Sequence, residues 1–148
     1  NGHCREFYSV AQHSVLCAGI AEYEKLGRDV VLQCLIHDAA EAYLADVPRP
    51  IKCQLPFYKE VEARAETVIH NQFNITPTLS EATAVKRIDN IALMSEARDL
   101  MVSRGVGWCE VGAWDIGESS GTVPFRIEGW NPKEAEMIFL QIFKMVTS

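Results

Sequence analysis

The stretch Asp29-Val-Val-Leu-Gln-Cys-Leu-Ile-His-Asp-Ala-Ala-Glu-Ala-Tyr-Leu-Ala45 decides how the rest of the chain is read. It opens on the apolar run Val30, Val31, Leu32, and the Pro48-x-Pro50 pair sets a stop just beyond it, so the pattern predicts one helix from about Asp29 to about Ala45. Cys34, His37, Asp38 and Glu41 fall on the same stripe of that helix, the one that should face the core. Three ionisable residues on a face meant for burial need a partner.

Working outward, the preceding segment reads as a helix from Ser9 to Gly27, with Ser9 and Gln12 in capping-box spacing and a stripe of His13, Leu16, Cys17 and Ile20. Downstream, a third helix starts near Pro56 and runs to about Phe73, with Phe57, Val61, Val68 and Ile69 as packing residues. Its Glu60, Glu62 and Glu66 read as a solvated face, and His70 as a surface residue favoured by the helix C-terminus. A fourth helix begins at Ser80 and extends to about Val102, placing Asp89 on one face with Val85, Ile88 and Ala92. Residues 104–130 hold six of the nine glycines and all three tryptophans and lack a helical period, so an irregular excursion is expected there. Asn131, Pro132 and Glu134 then start a last helix with the stripe Ala135, Ile138, Phe139, Ile142, Phe143 and Val146. The fold expected over residues 1–148 is a single all-α domain: a bundle of about five main helices with one Gly/Trp-rich excursion.

Composition sets the limits on function. The chain has 148 residues, 48% of them hydrophobic, enough for a sizeable core. Fourteen basic residues against twenty acidic ones leave a net charge of −6, which argues against a nucleic-acid polymer or an anionic membrane as partner. A small anion stays admissible wherever a local positive charge overrides the global field. The five cysteines, at positions 4, 17, 34, 53 and 109, form no C-x-x-C pair. Cys17 and Cys34 read as small buried hydrophobes in a reducing compartment, hence a cytoplasmic location. No apolar run approaches the ~20 residues of a membrane span, and no signal peptide is expected.

Three helices each carry ionisable groups on an apolar face: His13, the pair His37 and Asp38, and Asp89. Singly, His13 would read as a satisfied core histidine and Asp89 as the ion-pair partner of Lys86 or Arg87. Together, two imidazoles and two carboxylates converging in a bundle are the N and O donors of a hydrolytic divalent metal site, and sharing one cation removes the cost of burying each acid alone.

In the order H…HD…D, these residues resemble the signature of HD-domain metal-dependent phosphohydrolases. The run His37-Asp-Ala-Ala-Glu41 through Asp46-Val-Pro-Arg-Pro-Ile-Lys52 is similar to that of bacterial 5′-deoxynucleotidases, and Gly2-His3 with Phe7-Tyr-Ser-Val-Ala-Gln-His13-Ser resembles their phage- and prophage-encoded relatives. The resemblance extends from Gly2 to about Leu93. It implies that His13, His37, Asp38 and Asp89 hold a divalent ion, with Zn, Co, Mn and Mg all admissible. It also implies general acid/base work by Glu41, orientation of the attacking water by Asp46, and a phosphate contact from Lys52, with Arg49 a poorer candidate. His3 would be a phosphate contact or an extra ligand, and Arg5 is a further phosphate contact with no motif behind it. Related enzymes carry a substrate-touching Arg-aromatic pair just upstream of the Gly2-His3 equivalent, where this chain begins. Trp108 and Trp114 either stack on a base or pack the excursion onto the helices. The implied substrate is a small deoxynucleoside 5′-phosphate: a monophosphate cleaved to nucleoside and phosphate, or a triphosphate such as dATP cleaved to nucleoside and tripolyphosphate. The alternative is a silent nucleotide or metal sensor. Related enzymes are commonly homo-oligomers.

Overall fold

In the computed structural model, residues 4–106 and 121–148 are described. Their helices are α1 (Val10–Tyr23), α2 (Arg28–Ile36), α3 (Glu41–Leu44), α4 (Arg49–Lys52), α5 (Pro56–Gln72), α6 (Leu79–Leu100) and α7 (Pro132–Thr147). No strand occurs among the described residues, only an isolated bridge between Cys4 and Met101, and the expected all-α bundle is what forms. None of its helices is long and apolar enough to cross a membrane.

Why α2 is central follows from its sequence. Val30 to Ile36 are all buried, and a helix this apolar all round must be enclosed by others. It packs along α1, with α6 and α7 against both. Leu35, Ile88 and Leu100 are the largest fully buried apolar side chains of this core. The last helix lays its expected stripe on it, with Ala135 buried and Ile138, Phe139, Ile142, Phe143 and Val146 partly so.

The single helix expected from Asp29 to Ala45 is broken. After Ile36 the chain makes turns through residues 37–40 before α3 begins at Glu41. Across the break hydrogen bonds shorten to three residues, with the Ala39 N–H on the Ile36 carbonyl at 2.9 Å and that of Glu41 on Asp38 at 3.0 Å. The His37 ring meanwhile takes the Cys34 carbonyl at 2.8 Å. Termination also comes earlier than the prolines, at Ala45, whose φ of 71° is costly for a residue with a Cβ. Pro50 lies inside α4.

Other boundaries shift for identifiable reasons. Ser9 caps α1 by accepting the Gln12 N–H, but the Gln12 side chain does not return to the cap. Its amide donates to the Glu128 carbonyl at 2.7 Å and its oxygen accepts the Trp130 N–H at 2.8 Å, so half of the expected box ties down a distant segment instead. α6 begins at Leu79 behind the N-cap Thr78, one residue before the expected Ser80, because Thr78 and Glu81 form the reciprocal capping box, and the helix stops at Leu100 rather than Val102.

The expected inward face of α5 is rotated. Phe57 and Val68, read as packing residues, are 76% and 68% exposed, whereas Ile69 and Phe73 pack on the core, Phe73 edge-on to Phe143 at 5.5 Å between ring centroids. Glu62, Glu66 and His70 consequently turn half-buried toward the interior instead of lying on a solvated surface, while Glu60 is exposed as expected.

Within the expected excursion, the described residues 121–130 form no helix or strand, yet Val123 and Ile127 are buried. Arg98 donates to the carbonyls of Val123 and Phe125 and pairs with Asp99, which accepts the Ile127 N–H. Trp108, Trp114 and Cys109 lie outside the described residues, as does His3.

Candidate metal centre

The break after α2 delivers His37 and Asp38 to the lining of a cleft of about 910 Å³. His13 projects into it from α1 and Asp89 from α6. The two imidazole Nε2 atoms are 3.2 Å apart. Carboxylate oxygens of Asp38 lie 3.5 Å from His13 Nε2 and 3.4 Å from His37 Nε2, and Asp89 Oδ1 lies 3.5 and 3.9 Å from the same two nitrogens. Cys17, one turn beyond His13, sets its Sγ 3.6 Å from His13 Nε2. His13, Cys17 and His37 thus form a group whose donor atoms lie within 4.8 Å of one another and could hold a metal ion.

Hydrogen bonding defines which ring nitrogens are available. The Cys34 carbonyl only accepts, so His37 Nδ1 carries the proton and its Nε2 keeps a lone pair in the neutral ring. His13 Nδ1 faces Glu96 Oε1 at 2.6 Å, with the same consequence. Burial disfavours a charged His13, but Cys17, Glu96 and Asp89 outweigh it and raise the ring's pKa well above the ordinary imidazole value. Burial pushes Asp89 up, and His13, Lys86 and His37 more than reverse that, holding it well below the usual carboxylate range. The Lys86 ammonium sits 2.7 Å from Asp89 Oδ2 while Oδ1 faces the histidines, so the ion-pair and cluster readings of Asp89 are both true of one side chain. Arg87 instead grips Glu24 with both terminal nitrogens. The thiols of Cys17 and Cys34 are raised by burial, Cys34 to about 12.

Glu41 and Asp46 both line the cleft. Burial, reinforced by Asp38 and Asp46, lifts the Glu41 carboxyl to about 7. Lys52 also lines the cleft, but its ammonium is engaged, 2.7 Å from Glu62 and 3.9 Å from Glu41. Against the effect of burial, Glu62 and Glu41 hold its pKa up. Glu66 is raised by burial and by Glu62, and half-burial lowers His70. Arg5 does not join them: it is exposed and outside the cleft lining, and its backbone N–H is anchored to the Leu100 carbonyl at 2.9 Å.

Three contributors escape the sequence reading. Cys17 stands four residues from His13, a spacing that signals a shared face. Glu96 stands seven residues from Asp89, two turns along α6, and the same rule would have found it. Tyr8, whose hydroxyl donates to Glu96 Oε1 at 2.8 Å, precedes α1 and carries no periodic signal.

Comparison with known proteins adds relatives but no activity. No family model matches the chain. It is similar to the uncharacterized protein YfdR of Escherichia coli, 42% identical over 107 residues that span 72% of this chain and 56% of that protein. It is also similar to an uncharacterized protein of Rhodobacter capsulatus, 30% identical over 98 residues, 63% of this chain and 50% of that protein. The chain spans about half the length of the curated relatives it matches.

Proposed function

We propose that this chain is an HD-type, metal-dependent phosphohydrolase acting on deoxynucleoside 5′-phosphates, with His13, His37, Asp38 and Asp89 as ligands to a divalent ion. The observation that carries the reading is the meeting of two imidazole Nε2 atoms and two carboxylates across 3.2 to 3.9 Å. Carboxylates gathered there need a positive charge among them, which a proton on His13 supplies in metal-free protein and a divalent ion would supply in its place when bound. Four of the five separations, at 3.2 to 3.5 Å, also suit bonds of about 2.0–2.2 Å to an N/O-liganded ion, which give donor separations of roughly 3.0–3.5 Å in octahedral or tetrahedral arrangement, while the 3.9 Å between Asp89 and His37 is longer. Zn, Co, Mn and Mg all accept such donors, and availability selects among them.

When bound, the ion supplies Lewis acidity toward water and toward a phosphoryl oxygen. Glu41, lifted to about 7, is matched to accepting a proton from the attacking water and returning it to the departing 5′-oxygen. Asp46, at the same wall, orients that water. Lys52 offers a point charge to a phosphate oxygen after exchanging its contact with Glu62. The acidic wall of Asp46, Glu62 and Glu66 supports a monophosphate over a triphosphate such as dATP, because each further phosphate adds negative charge beside those carboxylates. The cleft volume suits a nucleotide-sized ligand. A homo-oligomer in the cytoplasm belongs to the same reading.

Incubation of metal-loaded protein with nucleoside mono-, di- and triphosphates, with products identified by mass, tests it. Release of phosphate from deoxynucleoside monophosphates, lost in Glu41→Ala, is expected. No turnover with Mg, Mn, Co or Zn, together with unchanged nucleotide affinity in Glu41→Ala, would leave the sensor reading in its place.

A further inference from the structure

The two histidines of the cluster are held from behind in different ways. His37 Nδ1 meets a neutral backbone carbonyl, that of Cys34. His13 Nδ1 meets an anion: Glu96 Oε1 at 2.6 Å, on a side chain only 13% exposed. The same oxygen accepts the Tyr8 hydroxyl at 2.8 Å, so two donors from α1 and the segment before it converge on one atom of α6. Glu96 is part of the cleft lining but reaches the cluster through the imidazole.

We propose that Glu96, buttressed by Tyr8, is a positioning residue that locks His13 in the tautomer presenting Nε2 and sets how tightly the centre holds its ion. The inference rests on the metal-centre reading above and adds to it a residue outside the ligand set. A carboxylate behind a ligating imidazole fixes the ring's rotation, keeps the proton on Nδ1 and makes Nε2 the more basic donor, an effect typically of 10- to 100-fold in affinity. Glu96 also adds a third negative charge beside Asp38 and Asp89, which favours a dication further. The carbonyl behind His37 orients that ring without adding charge, so the two histidines contribute unequally.

The test measures Co(II) and Zn(II) affinity by competition with a chelator in the full chain, together with the tautomer of His13 in the Zn-loaded protein by long-range 1H–15N NMR. Glu96→Gln, which keeps the shape and removes the charge, is expected to weaken both ions by about 10- to 100-fold. Tyr8→Phe should weaken them by a smaller factor. Ser95→Ala serves as the control: Ser95 is fully buried next to Glu96 and holds the Val123 N–H at 3.0 Å, so its loss disturbs packing without touching His13. Metal affinity in that variant should match the unaltered chain. Glu96→Gln binding within twofold of the unaltered chain, or Ser95→Ala losing as much, overturns the inference while the metal centre stands. If the unaltered chain and Asp38→Ala bind the ions equally, the centre itself fails and this inference with it.

Discussion

The α1–α2 pair and α5 border the same cleft but are built differently. Eight residues of α1 and seven of α2 are buried, whereas α5 has no fully buried residue and touches the core mainly through Ile69 and, just past its end, Phe73. The cluster of His13, His37 and Asp38 therefore sits on the most enclosed part of the molecule, and Glu62, Glu66 and His70 face it from a helix with little anchorage. Ligand geometry demands donors fixed within a few tenths of an ångström, which only a packed scaffold supplies. On the proposed reading, a wall that meets substrate needs no such rigidity.

The strongest challenge to that contrast is in stability. Leu35→Ala on α2 should lower unfolding free energy by about 2–5 kcal/mol in denaturant titrations. If the loss is under about 1 kcal/mol, α2 is not the enclosed helix described here. Asp38→Ala should abolish metal binding and forfeit about 4 kcal/mol of stability at an ion concentration 1,000 times Kd, with little change in metal-free protein. Equal destabilisation with and without metal would make Asp38 a structural residue.

Acidity sharpens the comparison further. In metal-free protein Glu41 titrates at about 7 against an ordinary 4.5, so the folded state holds a proton that the unfolded chain has released between those values. The associated stability is fully present below about pH 4.5 and is lost as pH rises through 7. Glu41→Gln, which cannot lose that proton, should gain about 1–2 kcal/mol on the unaltered chain at pH 8, after allowance for solvent screening at a partly open site, and nothing at pH 4. A pH-independent difference in thermal melts would contradict this. Ala45→Gly, relieving φ of 71°, should add about 1 kcal/mol. Smallest of all, Phe57→Ser on the outer face of α5 should change unfolding free energy by under about 0.5 kcal/mol.

Several of these features were legible in the residues. The α7 stripe and the apolar run of α2 could be read because periodicity reports burial directly, and the company kept by His13, His37, Asp38 and Asp89 marked them as a set. The break at residues 37–40 could not. Nothing in His-Asp-Ala-Ala disfavours helix strongly, and the contact that accompanies the turn, the His37 ring on the Cys34 carbonyl, leaves no periodic trace in the residues. The rotation of α5 was hidden for a related reason: its apolar residues are too few to define one face, so packing of Ile69 on the core and of Phe73 on Phe143 decided it. Gly129 is similar, since a Cβ there would fall on the Phe7 carbonyl oxygen, a close approach between residues 122 apart that no local pattern reveals.

By itself the sequence determined that the chain is helical, that α2 is enclosed, and which ionisable residues lie on apolar faces, because hydrophobic period and the cost of buried charge act on each segment independently. Only the tertiary structure decided which nitrogen of each histidine faces the cleft, that Glu96 and Tyr8 stand behind His13, that Cys17 lies against it, and that α5 presents acids rather than phenylalanine. Those facts depend on side chains that meet from distant segments, where distance in space and not position along the chain sets the interaction.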